Sequence, residues 1–148
     1  FMGYCGDEKL YEKVWRNGVY HTGDTAYKDE DGYYWYVGRI DDLIKTRGFR
    51  VGPFEIENVL MKHPAVMECA VIGVPDESRG QAIKATVHLA EGYTESRELK
   101  RELKTFVNSR VASYKHIQHL EFIDEMPKTI SGKIKRTDIR EIDRNKIC

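Results

Sequence analysis

Lys133 stands in the run Pro127-Lys128-Thr129-Ile130-Ser131-Gly132-Lys133-Ile134-Lys135-Arg136, between a Ser-Gly turn and a cationic segment. A lysine so placed offers a compact point charge on a flexible stem, suited to phosphate and to charge developing on a carboxylate. The run is not a P-loop. That motif needs a glycine at the position of Pro127, five residues before Gly132. Standing alone, the segment also fits a solvated turn ahead of a basic helix.

Two further segments lie upstream. One is Tyr20-His21-Thr22-Gly23-Asp24, and the other runs from Gly38-Arg39-Ile40-Asp41-Asp42 through Lys45-Thr46-Arg47-Gly48-Phe49-Arg50 to Gly52-Pro53. In this order and spacing the three segments closely resemble the C-terminal third of the adenylate-forming enzymes, a superfamily of acyl-CoA synthetases, peptide-synthetase adenylation domains and luciferases. The likeness covers nearly the whole chain and is nearest to short- and medium-chain acyl-CoA and acetyl-CoA synthetases. It implies an AMP-forming acid–thiol ligase. Such an enzyme converts a carboxylic acid and Mg-ATP to acyl-AMP and pyrophosphate, then passes the acyl group to CoA with release of AMP. An adenylation enzyme that loads a carrier protein is the alternative within the superfamily. A nucleotide- or partner-binding module without turnover is the alternative outside it.

Activating a carboxylate with ATP brings two anions together, so cations that neutralise the transition state are the physical remedy. The resemblance puts the adenylation lysine at Lys133. It puts a ribose clamp at Asp24 and Arg39, where a carboxylate accepts both vicinal hydroxyls and an arginine holds the carboxylate; a salt bridge tying two loops fits the same pair. Asp41 matches the family's pivot between two catalytic poses. In the second pose the loop Lys45-Thr46-Arg47-Gly48-Phe49 replaces Lys133 and lines the channel for the CoA pantetheine. Gly48 suits that task because a residue without Cβ lets a ligand pass closely, and it also suits a plain turn. Arg47 departs from the small residue many relatives carry there. Arg50 matches a residue near the AMP phosphate, or else shields Glu55 or Glu57 at a helix start. Lys45 either assists the thioester step or is structural. Arg79, Lys115, His116 and Gln118 match the surface that meets CoA. The resemblance further implies that Mg2+ is held mainly by an N-terminal domain, which would also be this chain's partner and would carry the acyl pocket.

Composition sets the limits. The chain has 148 residues, 41% hydrophobic, and formal net charge zero, so no general attraction to nucleic acid or anionic membrane is expected. No apolar run approaches the roughly 20 residues of a membrane span. Three dispersed cysteines, Cys5, Cys69 and Cys148, lack metal-ligand spacing and read as reduced thiols of a cytoplasmic protein, with Cys69 in the core. The histidines form no metal pair. Asp29-Glu30-Asp31-Gly32 reads as a turn, because a calcium loop would need an acidic ligand where Tyr27 stands. The opening Phe1-Met2-Gly3-Tyr4 reads as the middle of a domain, so the chain is expected to be a fragment without synthetase activity by itself.

The elements that must position these residues follow from periodicity. Residues 1–26 read as irregular, and a hairpin turns at Asp31-Gly32. Pro53 opens a helix through Ile56, Val59 and Leu60 that Pro64 stops. Val66–Val74 is a buried strand. Ile83–Leu89 alternates, with Lys84, Thr86 and His88 outward. Ser96–Val111 is an amphipathic helix, Leu120–Ile123 a third strand, and Thr137–Ile142 a closing helix. These predict an α+β domain over 41–148, a three-stranded sheet flanked by helices, preceded over 1–40 by a β-hairpin and a stub of a larger domain.

Overall fold

The computed structural model describes residues 3–147; Phe1, Met2 and the thiol expected at Cys148 lie outside the described residues. The chain divides into two compact units, Phe1–Asp41 and Asp42–Cys148.

The first unit opens with α1 (Glu8–Val14), capped by the Asp7 carboxylate, which accepts from the Leu10 amide. Two short strands follow, β1 (Trp15–Arg16) and β2 (Val19–Tyr20). Their connection is Asn17-Gly18, with φ of 54° and 73°, as a type I′ turn requires. The stretch expected to be irregular therefore contains a helix and a hairpin over residues 8–20. The Asn-Gly pair was the signal for this hairpin, while α1 buries no residue and so shows no core-facing stripe. The expected hairpin is formed by β3 (Asp24–Lys28) and β4 (Tyr34–Arg39). Asp29 holds its turn by accepting from Tyr33 N at 2.8 Å and Trp35 Nε1 at 2.6 Å. The Trp35 bond, with help from backbone amides, keeps the Asp29 carboxyl below the usual carboxylate range.

The second unit is a sheet covered on both faces. A long antiparallel hairpin, β7 (Val66–Asp76) and β8 (Gly80–Leu89), is its largest part, with β8 central and β7 paired to β8 alone. Strand β9 (His119–Phe122) runs parallel to β8 along Lys84–Val87. A short hairpin, β5 (Ile44–Thr46) and β6 (Phe49–Val51), joins β8 only at Thr46 opposite Gly80. The three expected strands are thus present, and this hairpin extends the sheet to five.

Alternation along β7 sorts its side chains between two cores. Cys69 and Val71 join Ile83, Ala85 and Val87 beneath α2 (Pro53–Leu60) and α3 (Arg97–Asn108), against Ile56, Leu60, Leu99, Leu103 and Val107. There burial pushes the Cys69 thiol up to about 12, an inert value. Ala70, Ile72 and Val74 face the other way, onto Ala82, Met126 and Ile139 of α4 (Arg136–Ile147).

Helix α4 is longer than the expected Thr137–Ile142, and it covers the face of β8 that was expected to meet solvent. Lys84 and Thr86 are each 6% exposed. A buried ammonium must be paired, and Lys84 Nζ bonds Asp143 of α4 and lies 3.0 Å from Glu121 of β9. Lys146 reaches Glu121 at 2.8 Å. Lys84 and Thr86, polar residues in the middle of β8, hid this layer from a simple in–out pattern.

One glycine sets the position of the β5–β6 hairpin. At Gly73 a Cβ would lie 2.9 Å from the Gln81 amide and 3.0 Å from Ile44 Cγ2. The space goes to Gln81, whose Oε1 accepts from the Lys45 backbone N–H at 2.7 Å. Gly73→Ala is expected to overpack this point, costing about 1–3 kcal/mol in urea unfolding. It should also speed hydrogen exchange at the Lys45 amide, whose acceptor is displaced.

The α4 anchor should respond to acid. Burial alone would raise the Glu121 pKa, but bonds from Lys146 and Lys84 outweigh it and leave the carboxyl below its usual range. Its folded pKa therefore lies below the unfolded value of about 4.3, so its contribution is present above that pH and is lost as pH falls through the depressed value. Melting temperature should fall more steeply in the parent chain than in Glu121→Gln over this acid range; parallel profiles would contradict the account.

Candidate functional site

In the first unit, Asp24 and Arg39 are directly opposed in the β3–β4 ladder. Arg39 NH1 donates to Thr22 O at 2.9 Å and stands 3.8 Å from Asp24 Oδ1, while NH2 lies 3.3 Å from Asp41. All three side chains are 43–64% exposed. Arg39 therefore pre-sets two carboxylates, with one Asp24 oxygen held loosely enough to accept from a ligand hydroxyl. Such exposed pairs add little to stability, about 0–1 kcal/mol.

In the second unit, the β5–β6 hairpin displays five of the expected site residues. Arg47 and Gly48 form its two-residue loop, with φ of 48° and 82°, the left-handed pair of a type I′ turn. Gly48 is thus a turn glycine by geometry, and a Cβ there would meet nothing within 4 Å. Both properties coexist: the turn needs positive φ, and the space beside it is open. Lys45 and Arg50 face each other across the ladder, both exposed. Like charges directly opposite repel unless an anion joins them, and among the described residues neither cation has a carboxylate partner. The reading of Arg50 as a shield for Glu55 or Glu57 is not met, since those carboxylates go to Lys115 and Arg136.

Arg79 joins this group through its backbone, accepting from Arg47 N at 2.9 Å. It lies in the β7–β8 turn, which Asp76 closes by accepting from the Ser78 hydroxyl and the Ser78 and Arg79 amides. Phe49, half exposed, stacks on Tyr114 with ring centres 4.5 Å apart and planes 17° apart. Beside that platform, Lys115 Nζ bonds Glu55 at 2.6 Å. Burial works against the Lys115 charge, yet the Glu55 bond holds its pKa above the ordinary lysine value.

Gln118 is engaged with the backbone of its own unit. Its Oε1 accepts from Ile83 N at 2.7 Å, its Nε2 donates to His116 O, and its own N donates to Ile83 O. Both ends of the amide thus help to fix the approach to β9.

Lys133 ends a tight turn. Gly132 N donates to Thr129 O, Thr129 N donates to Lys133 O, and Lys133 N donates to Thr129 Oγ1 at 3.1 Å. The turn is rigid at its base while the Lys133 side chain is exposed, with no ion pair among the described residues. Among the described residues no three metal-ligating side chains converge. Nor is any described helix long and apolar enough to cross a membrane.

Sequence reasoning missed Tyr114, Gly73, Gln81, Asp42 and Arg136. Arg136 and Arg140 stand one helical turn apart, a visible signal, but their carboxylates lie far away in the chain.

Comparison with known proteins identifies the family. Residues 55–133 match the family described as the AMP-binding enzyme C-terminal domain. The chain is 50% identical over 146 residues to 4-hydroxybutyrate–CoA ligase 1 of Metallosphaera sedula, covering 99% of this chain and 26% of that protein. It is 46% identical to the acetyl-coenzyme A synthetase of Bacillus subtilis, covering 93% and 24%. Among solved structures, the anthranilate CoA ligase AuaEII in complex with anthranoyl-AMP superposes with a TM-score of 0.83 at 39% identity, over 93% of this chain and 27% of that one. The chain thus spans about a quarter of the length of these relatives. With the match running from α2 through β7, β8 and β9 to Lys133 itself, the chain belongs to the AMP-binding enzyme C-terminal domain family.

Proposed function

We propose that this chain acts as the C-terminal part of an AMP-forming acyl-CoA synthetase, cytoplasmic, working with an N-terminal domain that carries the acyl pocket and most of the Mg-ATP contacts. The observation that carries the reading is Lys133, an unpaired ammonium on a hydrogen-bonded turn inside the stretch matched by the family. A charge so held costs no reorganisation when two anions approach. In the adenylation step Lys133 stabilises the carboxylate and α-phosphate as the acyl-AMP bond forms and pyrophosphate leaves. Asp24, set by Arg39, accepts the ribose hydroxyls, and Asp41 serves as the pivot.

In the second step the β5–β6 hairpin takes over. The uncompensated pair Lys45 and Arg50 supports an anion there, the AMP phosphate, with Lys45 near the thioester chemistry. Gly48 leaves room for the pantetheine, and Arg47 and Arg79 meet CoA phosphates from two turns joined by a hydrogen bond. Phe49 on Tyr114 offers a flat surface, while Lys115 and His116 lie at its border and Gln118 positions the backbone beneath.

In the full-length enzyme, Lys133→Ala should lower acyl-AMP formation by on the order of 10²–10³-fold, the loss of one oriented charge. Thioester formation from supplied acyl-AMP should persist. Pyrophosphate release and CoA-dependent AMP release, measured separately, decide this; equal losses in both sink the assignment.

Gly48→Leu should show the reverse pattern. Positive φ alone costs roughly 1–2 kcal/mol, visible as a modest fall in melting temperature. Adenylate formation should continue while the CoA step drops. A folded Gly48→Leu enzyme with normal thioester rates removes Gly48 from the CoA path.

A further inference from the structure

Four charged side chains meet where α4 starts. Arg136 NH2 lies 2.7 Å from Glu57 Oε2 and 2.9 Å from Oε1, and its Nε also donates to Oε1. Arg136 NH1 reaches Asp42 Oδ2 at 3.3 Å, and Arg140 NH2 reaches Asp42 Oδ1 at 2.8 Å. Glu57 also accepts from Val71 N of the sheet at 2.8 Å. The side chains are 11–27% exposed, so the two carboxylates and two guanidiniums neutralise each other where unpaired charge would be costly.

Core packing of α4 does not need this cluster. Ile139 in the second core and the Lys84–Asp143 bond already hold the helix body. Arg136 is the helix's first residue, where helices fray, and Lys133 precedes it by three positions. The turn bearing Lys133 is bounded on one side by buried Met126 and on the other by Arg136. What Arg136 touches therefore decides the direction in which the turn leaves the domain. Its planar fork binds carboxylates from two segments at once: Glu57 of α2, and Asp42, the residue that begins the second unit. A lysine point charge cannot span both.

We propose that Arg136 is a positioning residue for Lys133, locking the catalytic turn to Glu57 and to Asp42 so that the turn moves with the second unit as one body. This rests on the adenylation role of Lys133 given above. Arg136 acts through Lys133 and touches no substrate.

The test uses the full-length enzyme with Arg136→Lys, Lys133→Ala and the double variant. Misplacement by about 1 Å costs on the order of 10²-fold, so Arg136→Lys should lower kcat for acyl-AMP formation by that order with little change in KM for ATP. Thioester formation from supplied acyl-AMP should persist. In the Lys133→Ala background, Arg136→Lys should add no further loss, because the group it positions is gone. Multiplicative losses, or equal loss in both half-reactions, overturn the proposal. Asp42→Asn serves as the second variant, with the same selective loss expected. If neither variant folds, the cluster is an element of stability and the proposal fails. An unimpaired Lys133→Ala enzyme overturns the functional reading and the proposal together. An impaired Lys133→Ala enzyme beside a normal Arg136→Lys enzyme overturns the proposal alone.

Discussion

A lysine buried in the central strand governs the second unit. Lys84 projects from β8 into the layer beneath α4, and an ammonium there is tolerable only with carboxylates against it. Asp143 and Glu121 supply them from a helix and from a neighbouring strand. Removing one partner of such a pair costs about 3–5 kcal/mol, because the other charge stays buried. The requirement fixes the rotation of α4 on the sheet, since Asp143 must point inward along with Ile139, one helical turn earlier. Once the helix body is oriented, its first residue is brought within reach of Glu57 and Asp42, where Arg136 pairs with both.

The sheet then separates packing from chemistry. Its long β7–β8 hairpin buries most of its side chains on both faces. Apart from the Lys133 turn, this unit's candidate site residues sit at the sheet's margins: the β5–β6 hairpin, the turn between β7 and β8, and the connection into β9. β5 touches β8 at a single register position, Thr46 against Gly80. So short a join could wander, but Gln81 bonds the Lys45 amide and Arg79 O accepts from Arg47 N. The exposed cations are thereby mounted on backbone held from below, the arrangement a binding loop needs to meet an anion without paying again in conformational entropy.

Local chemistry was legible in the sequence, and its layered consequences were not. Pro53 at the start of α2, the Ser96 cap of α3 and the Asp29 turn announce themselves through residues whose preferences are strong and short-ranged. The motifs carrying Lys133, Arg39 and Gly48 were equally plain. Lys84 and Thr86 read as solvent-facing, because alternation reports which side chains share a face and not whether a second layer covers it. The bond between the Gln118 amide and Ile83 N was not legible, since nothing local announces it. Asp42 and Arg136 were invisible as a pair, because their meeting depends on how α4 lies on the sheet.

Three lysines in this unit show how environment divides one side chain among three tasks. Lys84 is buried and doubly paired, and its charge serves only the fold. Lys115 is partly covered and tied to Glu55, so its charge is largely spent before any ligand arrives. Lys133 is exposed and unpaired among the described residues, which makes it the least useful of the three for stability. A cation that must meet an incoming anion cannot be neutralised beforehand, and a cation that must act with orientation cannot be left on a loose chain. The turn resolves the conflict by binding the backbone of Lys133 through Thr129 while leaving its ammonium alone. Rigidity comes from the neighbours, and the charge itself stays available.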